Sequence, residues 1–144
     1  MIDLLSYFTF WVLLLVIFHK YTHKVFSLPY LIFIVLTLSI YIFYINPGKI
    51  YIRYTNGERN ELTGYKKIVV DIIFHYCLFA FVFLTYGMEP FFNNWKIISS
   101  LLLMLIYILL YCPSDIYLLR NDKIIMLIFM NTIIYCLIYY FYKK

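Results

Sequence analysis

The sequence predicts an all-α integral membrane protein with about five transmembrane helices and one short polar loop suited to a β-hairpin. Hydrophobic residues make up 65% of the 144 residues and charged residues only 13%, whereas soluble domains are about 45–50% apolar and about 25% charged. The apolar residues also fall in separate runs bounded by charged or turn residues. A soluble core of this size cannot bury so much apolar surface, so lipid is the expected solvent for most of the chain.

The apolar runs are taken as the membrane spans of one domain that covers residues 1–144. They comprise residues 4–18, 28–45, 68–86, 97–111 and 124–141. The first and fourth runs hold 15 residues each, fewer than the roughly 17–25 that a spanning helix needs. Flanking aromatic side chains such as Trp95 can extend them into the headgroup region. The alternative is four spanning helices with one re-entrant or interfacial helix.

The helices are expected to be continuous. All four glycines and all four prolines lie at the ends of the apolar runs or between them. Secondary transporters often use broken helices near the membrane midplane, and close GxxxG crossings need glycines within a helix; neither pattern is present. At the start of the second run, Ser27 is the expected N-cap and Pro29 lies in the first helical turn.

The polar loop 46–67 is the longest hydrophilic segment. Its stretch KIYIRY alternates apolar and polar residues, and Asn56-Gly57 supplies a turn, which together predict a small β-hairpin on the membrane surface. Five spans place seven basic residues on the side of this loop and five on the opposite side. The positive-inside tendency therefore favours the cytoplasm, or the matrix of an organelle, for the loop.

Two ionisable residues, Asp71 and His75, lie four positions apart inside the third run. Residues with this spacing share one helix face, so the two side chains can touch. An unpaired carboxylate in a membrane costs about 2–3 kcal/mol on insertion scales, and intramembrane ionisable residues are candidates for proton transfer or ligand contact. Polar residues of other runs lie at a comparable depth of roughly 8–12 Å. We therefore predict one buried polar layer formed by Thr9, Ser39, Asp71, His75 and Asn131.

A simpler interpretation of the same residues is helix packing. Polar side chains between membrane helices contribute about 0.6 kcal/mol per hydrogen bond on average, and Asp71 can also lie at headgroup level. This alternative predicts scattered pairs of contacts. The hypothesis of a single layer is wrong if the side chains of His75 and Asn131 point to lipid on opposite sides of the helices.

No motif for catalysis, for a cofactor or for a metal is present in the sequence. The three cysteines, Cys77, Cys112 and Cys136, show no CxxC spacing, which argues against a zinc site or a disulfide framework. His19 and His23 are four residues apart but have no third ligand nearby, so headgroup-level positions are expected for them. The net charge of +5 fits contact with anionic lipid better than a nucleic-acid partner.

These observations favour a non-enzymatic function. The leading interpretation is a structural or assembly component of a viral or organellar membrane complex, with the lipid bilayer and either protein partners or further copies of the chain as its contacts. Seventeen Tyr and 14 Phe with a single Ala are typical of an AT-rich genome. The alternatives are a channel or proton-conducting protein that uses Asp71 and His75, and a membrane-embedded enzyme with His75 as base.

Overall fold

Helices account for most of the described chain. The computed structural model describes residues 1–45, 49–111 and 120–143, so the beginning of the predicted polar loop and Cys112 lie outside the described residues. The long helices are α1 (Phe8–Ile17), α2 (Leu28–Ile45), α3 (Tyr65–Tyr86), α4 (Trp95–Tyr111) and α5 (Asn121–Tyr142). A 3₁₀ turn, Leu4–Ser6, precedes α1, and one further helical turn, His19–Thr22, follows it.

Three helices, α2, α3 and α5, are long and apolar enough to cross a membrane. The other two, α1 and α4, are apolar but shorter. Each of the five predicted runs thus corresponds to a helix, and α2 has the bounds predicted for the second run. The mostly helical fold and its membrane-type composition are confirmed, and the number of helices that cross the membrane stays a prediction.

The second helix, α2, lies at the centre of the molecule. In its most apolar 18-residue window, 61% of the residues are buried, against 17% for α3 and 22% for α5. Residues 28–36 are all buried, and α2 contacts each of the other four long helices. A helix that is apolar on every face can occupy this position, because no side of it needs contact with water.

Aromatic side chains fill the contact between α2 and α5. Tyr135 of α5 packs edge-on against Tyr30 and Phe33, with ring centroids 5.4 and 5.3 Å apart. The Tyr30 hydroxyl also donates a hydrogen bond to Oγ1 of Thr132, at 2.7 Å. Bulky aromatic packing therefore takes the place of the small-residue packing that is common between membrane helices.

Two of the long helices are continuous but not regular. The last turn of α2, Tyr41–Ile45, and the middle of α3, Ile72–Cys77, are π-helical. Such wide turns are rare and often occur at functional sites. The sequence predicted unbroken helices and gave no indication of this change in winding.

The start of α2 differs in one detail from the prediction. Ser27 occupies the N-cap position, but its side chain makes no capping hydrogen bond. Its backbone N–H instead donates to Oγ of Ser100 in α4, at 3.0 Å, and its own Oγ has no partner among the described residues. The neighbouring helix α4 thus supplies a contact to this helix end that a sequence pattern cannot show.

The predicted hairpin is present and short. Strand β1 (Tyr51–Arg53) pairs antiparallel with β2 (Arg59–Glu61). In the connecting turn, Gly57 has a φ of +86°, a conformation that glycine adopts without steric cost. The end of the molecule that carries the hairpin is called the hairpin side below.

The N-terminal segment holds the hairpin against the helices. Ile2 forms a β-bridge with Tyr54, and the backbone N–H of Asp3 donates to the carbonyl of Arg53 at 2.8 Å. The Tyr7 hydroxyl accepts the N–H of Arg53 at 2.7 Å and donates to a carbonyl of β1 at 3.1 Å. An isolated two-stranded hairpin is marginally stable in water, so these contacts are what order it.

Candidate functional site

Asp71 and His75 form a buried pair at the point where α3 widens. Asp71 is 0% exposed and His75 is 8% exposed. Nδ1 of His75 lies 2.6 Å from Oδ1 of Asp71. For a neutral His75 beside a carboxylate, which has no proton to donate, Nδ1 carries the proton of this hydrogen bond. The ring orientation and the tautomer of His75 are thereby fixed.

Two further side chains extend the pair into a chain of hydrogen bonds. The Tyr44 hydroxyl donates to Oδ2 of Asp71 at 2.9 Å, and Oγ1 of Thr9 lies 3.2 Å from Nε2 of His75. In the neutral tautomer with the proton on Nδ1, Nε2 is the acceptor of the Thr9 hydroxyl. The set Tyr44–Asp71–His75–Thr9 is called the polar chain.

The polar chain joins three helices at the hairpin side. Thr9 lies in the first turn of α1, Tyr44 near the end of α2, and Asp71 and His75 in α3. Each of the two π-helical segments contributes one residue to the polar chain: Tyr44 belongs to the first segment and His75 to the second. Tyr44 is 52% exposed, so the polar chain leads from the surface of the molecule to its interior.

Two apolar cavities meet at Thr9 and His75. The smaller, of about 70 Å³, extends into the core and is also lined by Ser39, Met104 and Ile128. The larger, of about 170 Å³, lies toward the hairpin. Its walls include residues of the N-terminal segment, of the hairpin and of α3, among them Ile2, Leu4, Ile52, Leu62, Val70 and Phe74. Thr9 and His75 therefore supply polar atoms to otherwise apolar spaces.

The five residues of the predicted polar layer do not form one network in the described part of the chain. Hydrogen bonds link Thr9, Asp71 and His75. Ser39 is buried beside the smaller cavity and donates to the carbonyl of Leu36 at 2.8 Å. Asn131 is half-buried in α5, and no hydrogen bond joins it to the other four among the described residues. The part of α5 that lines the smaller cavity is apolar and does not include Asn131.

Tyr44 is the member of the polar chain that sequence reasoning missed. The sequence holds 17 tyrosines, and nothing in the stretch YIFYI distinguishes the one that faces Asp71. The contact of Tyr135 was missed for the same reason. Its hydroxyl donates to the carbonyl of Glu89 at 2.8 Å and accepts the N–H of the same residue at 3.1 Å.

The two histidines that follow the first run, His19 and His23, lie at the end opposite the hairpin. Nδ1 of His19 forms a hydrogen bond with the hydroxyl of Tyr86, and the His23 ring stacks on Tyr86 with centroids 5.3 Å apart. Within residues 1–45, 49–111 and 120–143, no three His, Cys, Asp or Glu side chains are grouped to hold a metal ion.

The fold and the polar chain define a small helical protein that has three helices long and apolar enough to span a membrane. No protein-family model, no curated protein and no solved structure matches the chain.

Proposed function

We propose that all five long helices lie in the membrane, so that α1 crosses it together with α2, α3 and α5. Contacts at both ends of α1 support this arrangement. Ile2, before α1, forms a β-bridge with Tyr54 at the hairpin side. His19, after α1, forms a hydrogen bond with Tyr86, the last residue of α3. The chain thus extends over the length of α3 between residues 2 and 19.

The same reasoning supports a membrane crossing by α4. Near its start, Ser100 accepts the N–H of Ser27, which lies at the end opposite the hairpin. Further along α4, the hydroxyl of Tyr107 donates to the carbonyl of Ser6, which precedes α1 on the hairpin side. With five crossings, the excess of basic residues favours the cytoplasm or matrix for the hairpin.

Within this arrangement, the function we propose is that of a structural component of a membrane assembly, in which the polar chain keeps the hairpin side in one conformation. One observation supports this role. Asp71 is 0% exposed, and each of its carboxylate oxygens accepts a hydrogen bond from within the protein. A buried polar network in which every group has a partner rigidifies a core. The polar chain thereby holds α1, α2 and α3 together, and the hairpin keeps one defined geometry in which it can contact partner subunits. The composition favours a viral or organellar membrane.

Proton conduction is the second candidate. It is favoured by the continuity of the polar chain, since Tyr44 is half-exposed and leads through Asp71 to His75. Chains of this kind can relay protons across part of a membrane. The two candidates differ in what a change of Asp71 or His75 does to the protein.

The variants Asp71→Asn and His75→Ala separate the two candidates. A structural role predicts a lower abundance and less complete assembly of both variants in membranes, because buried partners lose their hydrogen bonds. Abundance is measured by quantitative blotting of the membrane fraction, and assembly by the size of the detergent-extracted particles. Asn131→Ala is the matched control, because Asn131 has no hydrogen bond to the polar chain among the described residues.

The opposite result supports conduction. Variants of Asp71 and His75 that accumulate and assemble like the unchanged protein, but alter a pH-dependent flux in liposomes, contradict the structural role. Unchanged abundance together with an unchanged flux contradicts both candidates.

A further inference from the structure

We propose that Thr9, His75 and Asp71 form a nucleophilic site that cleaves carboxylic esters of long acyl chains. Thr9 is the nucleophile, His75 the general base and Asp71 the positioning residue. This activity goes beyond the structural role proposed above and does not depend on it.

The order and spacing of the three groups carry the proposal. Oγ1 of Thr9 lies 3.2 Å from Nε2 of His75, and Nδ1 of the same ring lies 2.6 Å from Oδ1 of Asp71. Hydroxyl, imidazole and carboxylate in this order make up the triad of serine hydrolases, which occurs on unrelated folds and is recognised by its geometry. The buried carboxylate holds the proton on Nδ1, so Nε2 is free to take the proton of the hydroxyl.

The hydroxyl of Thr9 differs from those of other threonines in helices. The hydroxyls of Thr37, Thr85 and Thr132 donate to backbone carbonyls three or four residues before them, which is the usual contact of a helical threonine. Thr9 instead faces the imidazole of a residue 66 positions away in sequence. The first turn of a helix leaves backbone N–H groups without acceptors inside the helix. In the first turn of α1 the N–H of Phe10 donates to the carbonyl of Tyr7, so the N–H groups of Phe8 and Thr9 are the ones that stay open among the described residues. Such N–H groups beside the nucleophile can stabilise an oxyanion.

The cavities indicate the class of substrate. Thr9 and His75 lie at the wall of the larger cavity, whose volume is about 170 Å³ and whose other surfaces are largely apolar. An apolar pocket with a few convergent polar groups is the usual form of a small-molecule site. The cavity is bounded by the hairpin and the N-terminal segment, the part of the protein expected at the membrane–water interface. It therefore fits an apolar acyl chain whose ester carbonyl lies beside Thr9 and His75, where the two cavities meet.

The reaction needs only the ester and water. Oγ1 of Thr9 bonds to the carbonyl carbon while its proton moves to Nε2 of His75, and the carbonyl oxygen becomes an oxyanion. The bond to the leaving alcohol breaks, and the alkoxide takes the proton from Nε2. Water then attacks the acyl-threonine ester, gives one proton to Nε2 and releases the fatty acid as Thr9 regains its proton. No electron transfer is involved.

The test uses the full chain in detergent micelles with a decyl fluorophosphonate, which forms a covalent bond to an activated hydroxyl as fluoride leaves. We expect one phosphonate adduct, located on Thr9 by peptide mass spectrometry, and hydrolysis of p-nitrophenyl decanoate. Thr9→Val removes the hydroxyl at nearly constant volume, and it is expected to lower both rates by about 100-fold or more. Thr9→Ser keeps a hydroxyl at this position and is expected to keep the adduct.

Thr132→Val is the matched control, because it removes another partly buried hydroxyl and is expected to react like the unchanged protein. Asp71→Asn is expected to change the pH profile of the labelling rate, which a merely structural carboxylate does not do. An unreactive unchanged protein, an adduct on another residue, or equal labelling of the Thr9→Val variant overturns the proposal. These outcomes are measured by labelling and hydrolysis, whereas the structural role is tested by abundance and assembly in membranes. Failure of one proposal is therefore distinguishable from failure of the other.

Discussion

At the scale of single residues, Asp71 depends on its hydrogen-bond donors. A carboxylate without partners inside a membrane costs several kcal/mol. Here both oxygens of Asp71 are bonded, one to His75 and the other to Tyr44. The pairing with His75 follows from the four-residue spacing, whereas the bond to Tyr44 requires that α2 end beside α3. Sequence reasoning can therefore propose the first contact and has no means to propose the second.

The hydrogen bond between Tyr30 and Thr132 gives a prediction at this scale. The Tyr30 hydroxyl lies 2.7 Å from Oγ1 of Thr132, between the buried centre of α2 and α5. In a double-mutant cycle of Tyr30→Phe and Thr132→Val, we expect a coupling free energy of about 0.6 kcal/mol, the average for hydrogen bonds between membrane helices. The measurement is the free energy of unfolding of the four proteins in mixed detergent. Additive effects of the two changes would show that the contact does not stabilise the folded state.

At the scale of elements, α2 is distinguished by its burial. The five apolar runs share one sequence character, since each is strongly apolar and has its glycines and prolines only at or beyond its ends. Lipid and protein interior select the same residue types, so hydropathy cannot tell a central helix from a peripheral one. Only the packing shows that α2 contacts the other four long helices.

Leucine-to-alanine changes test the central position of α2. Leu31 is 0% exposed, whereas Leu84 of α3 is 88% exposed. Leu31→Ala leaves a cavity, and at about 24 cal/mol per Å³ of residual cavity we expect a loss of about 1–2 kcal/mol in the free energy of unfolding. Leu84→Ala serves as the matched control with little loss, because detergent or lipid fills the space. Equal losses at the two positions, measured by denaturation in detergent, would contradict the central position.

At the scale of the whole molecule, the number of crossings decides where the C-terminus lies. If all five helices cross the membrane, the C-terminus lies on the side opposite the hairpin. If only α2, α3 and α5 cross the membrane, α4 does not carry the chain back to the hairpin side before α5 begins. In that arrangement α5 crosses toward the hairpin side, and the C-terminus lies there. The two arrangements therefore differ in a property that can be measured directly.

Cysteine labelling in sealed vesicles distinguishes these arrangements. Thr55→Cys in the exposed hairpin turn and Lys143→Cys at the end of α5 are introduced separately into a chain whose native cysteines are replaced by serine. Five crossings predict that a membrane-impermeant maleimide added outside labels one of the two positions and not the other. Labelling of both positions, or of neither until detergent is added, would indicate that the two positions share one side. Labelling after detergent addition shows that each cysteine is reactive.

The sequence by itself determined the mostly helical fold, the membrane-type composition and the positions of the elements. Composition decided that most of the chain is suited to lipid, the apolar runs located the helices, and Asn56-Gly57 located the hairpin turn. These are local properties, because each depends on residues that are neighbours in the chain. The i, i+4 contact between Asp71 and His75 is local in the same sense.

Tertiary structure decided which polar residues meet. The predicted layer rested on depth alone, and depth does not specify the direction of a side chain around the helix axis. Thr9 and His75 meet because α1 and α3 pack together at the hairpin side, while Asn131 lies elsewhere in α5. Tyr44 and the two cavities likewise depend on how α2 packs against its neighbours. Helix rotation and packing are set by many weak contacts between distant segments, and these appear only in the folded chain.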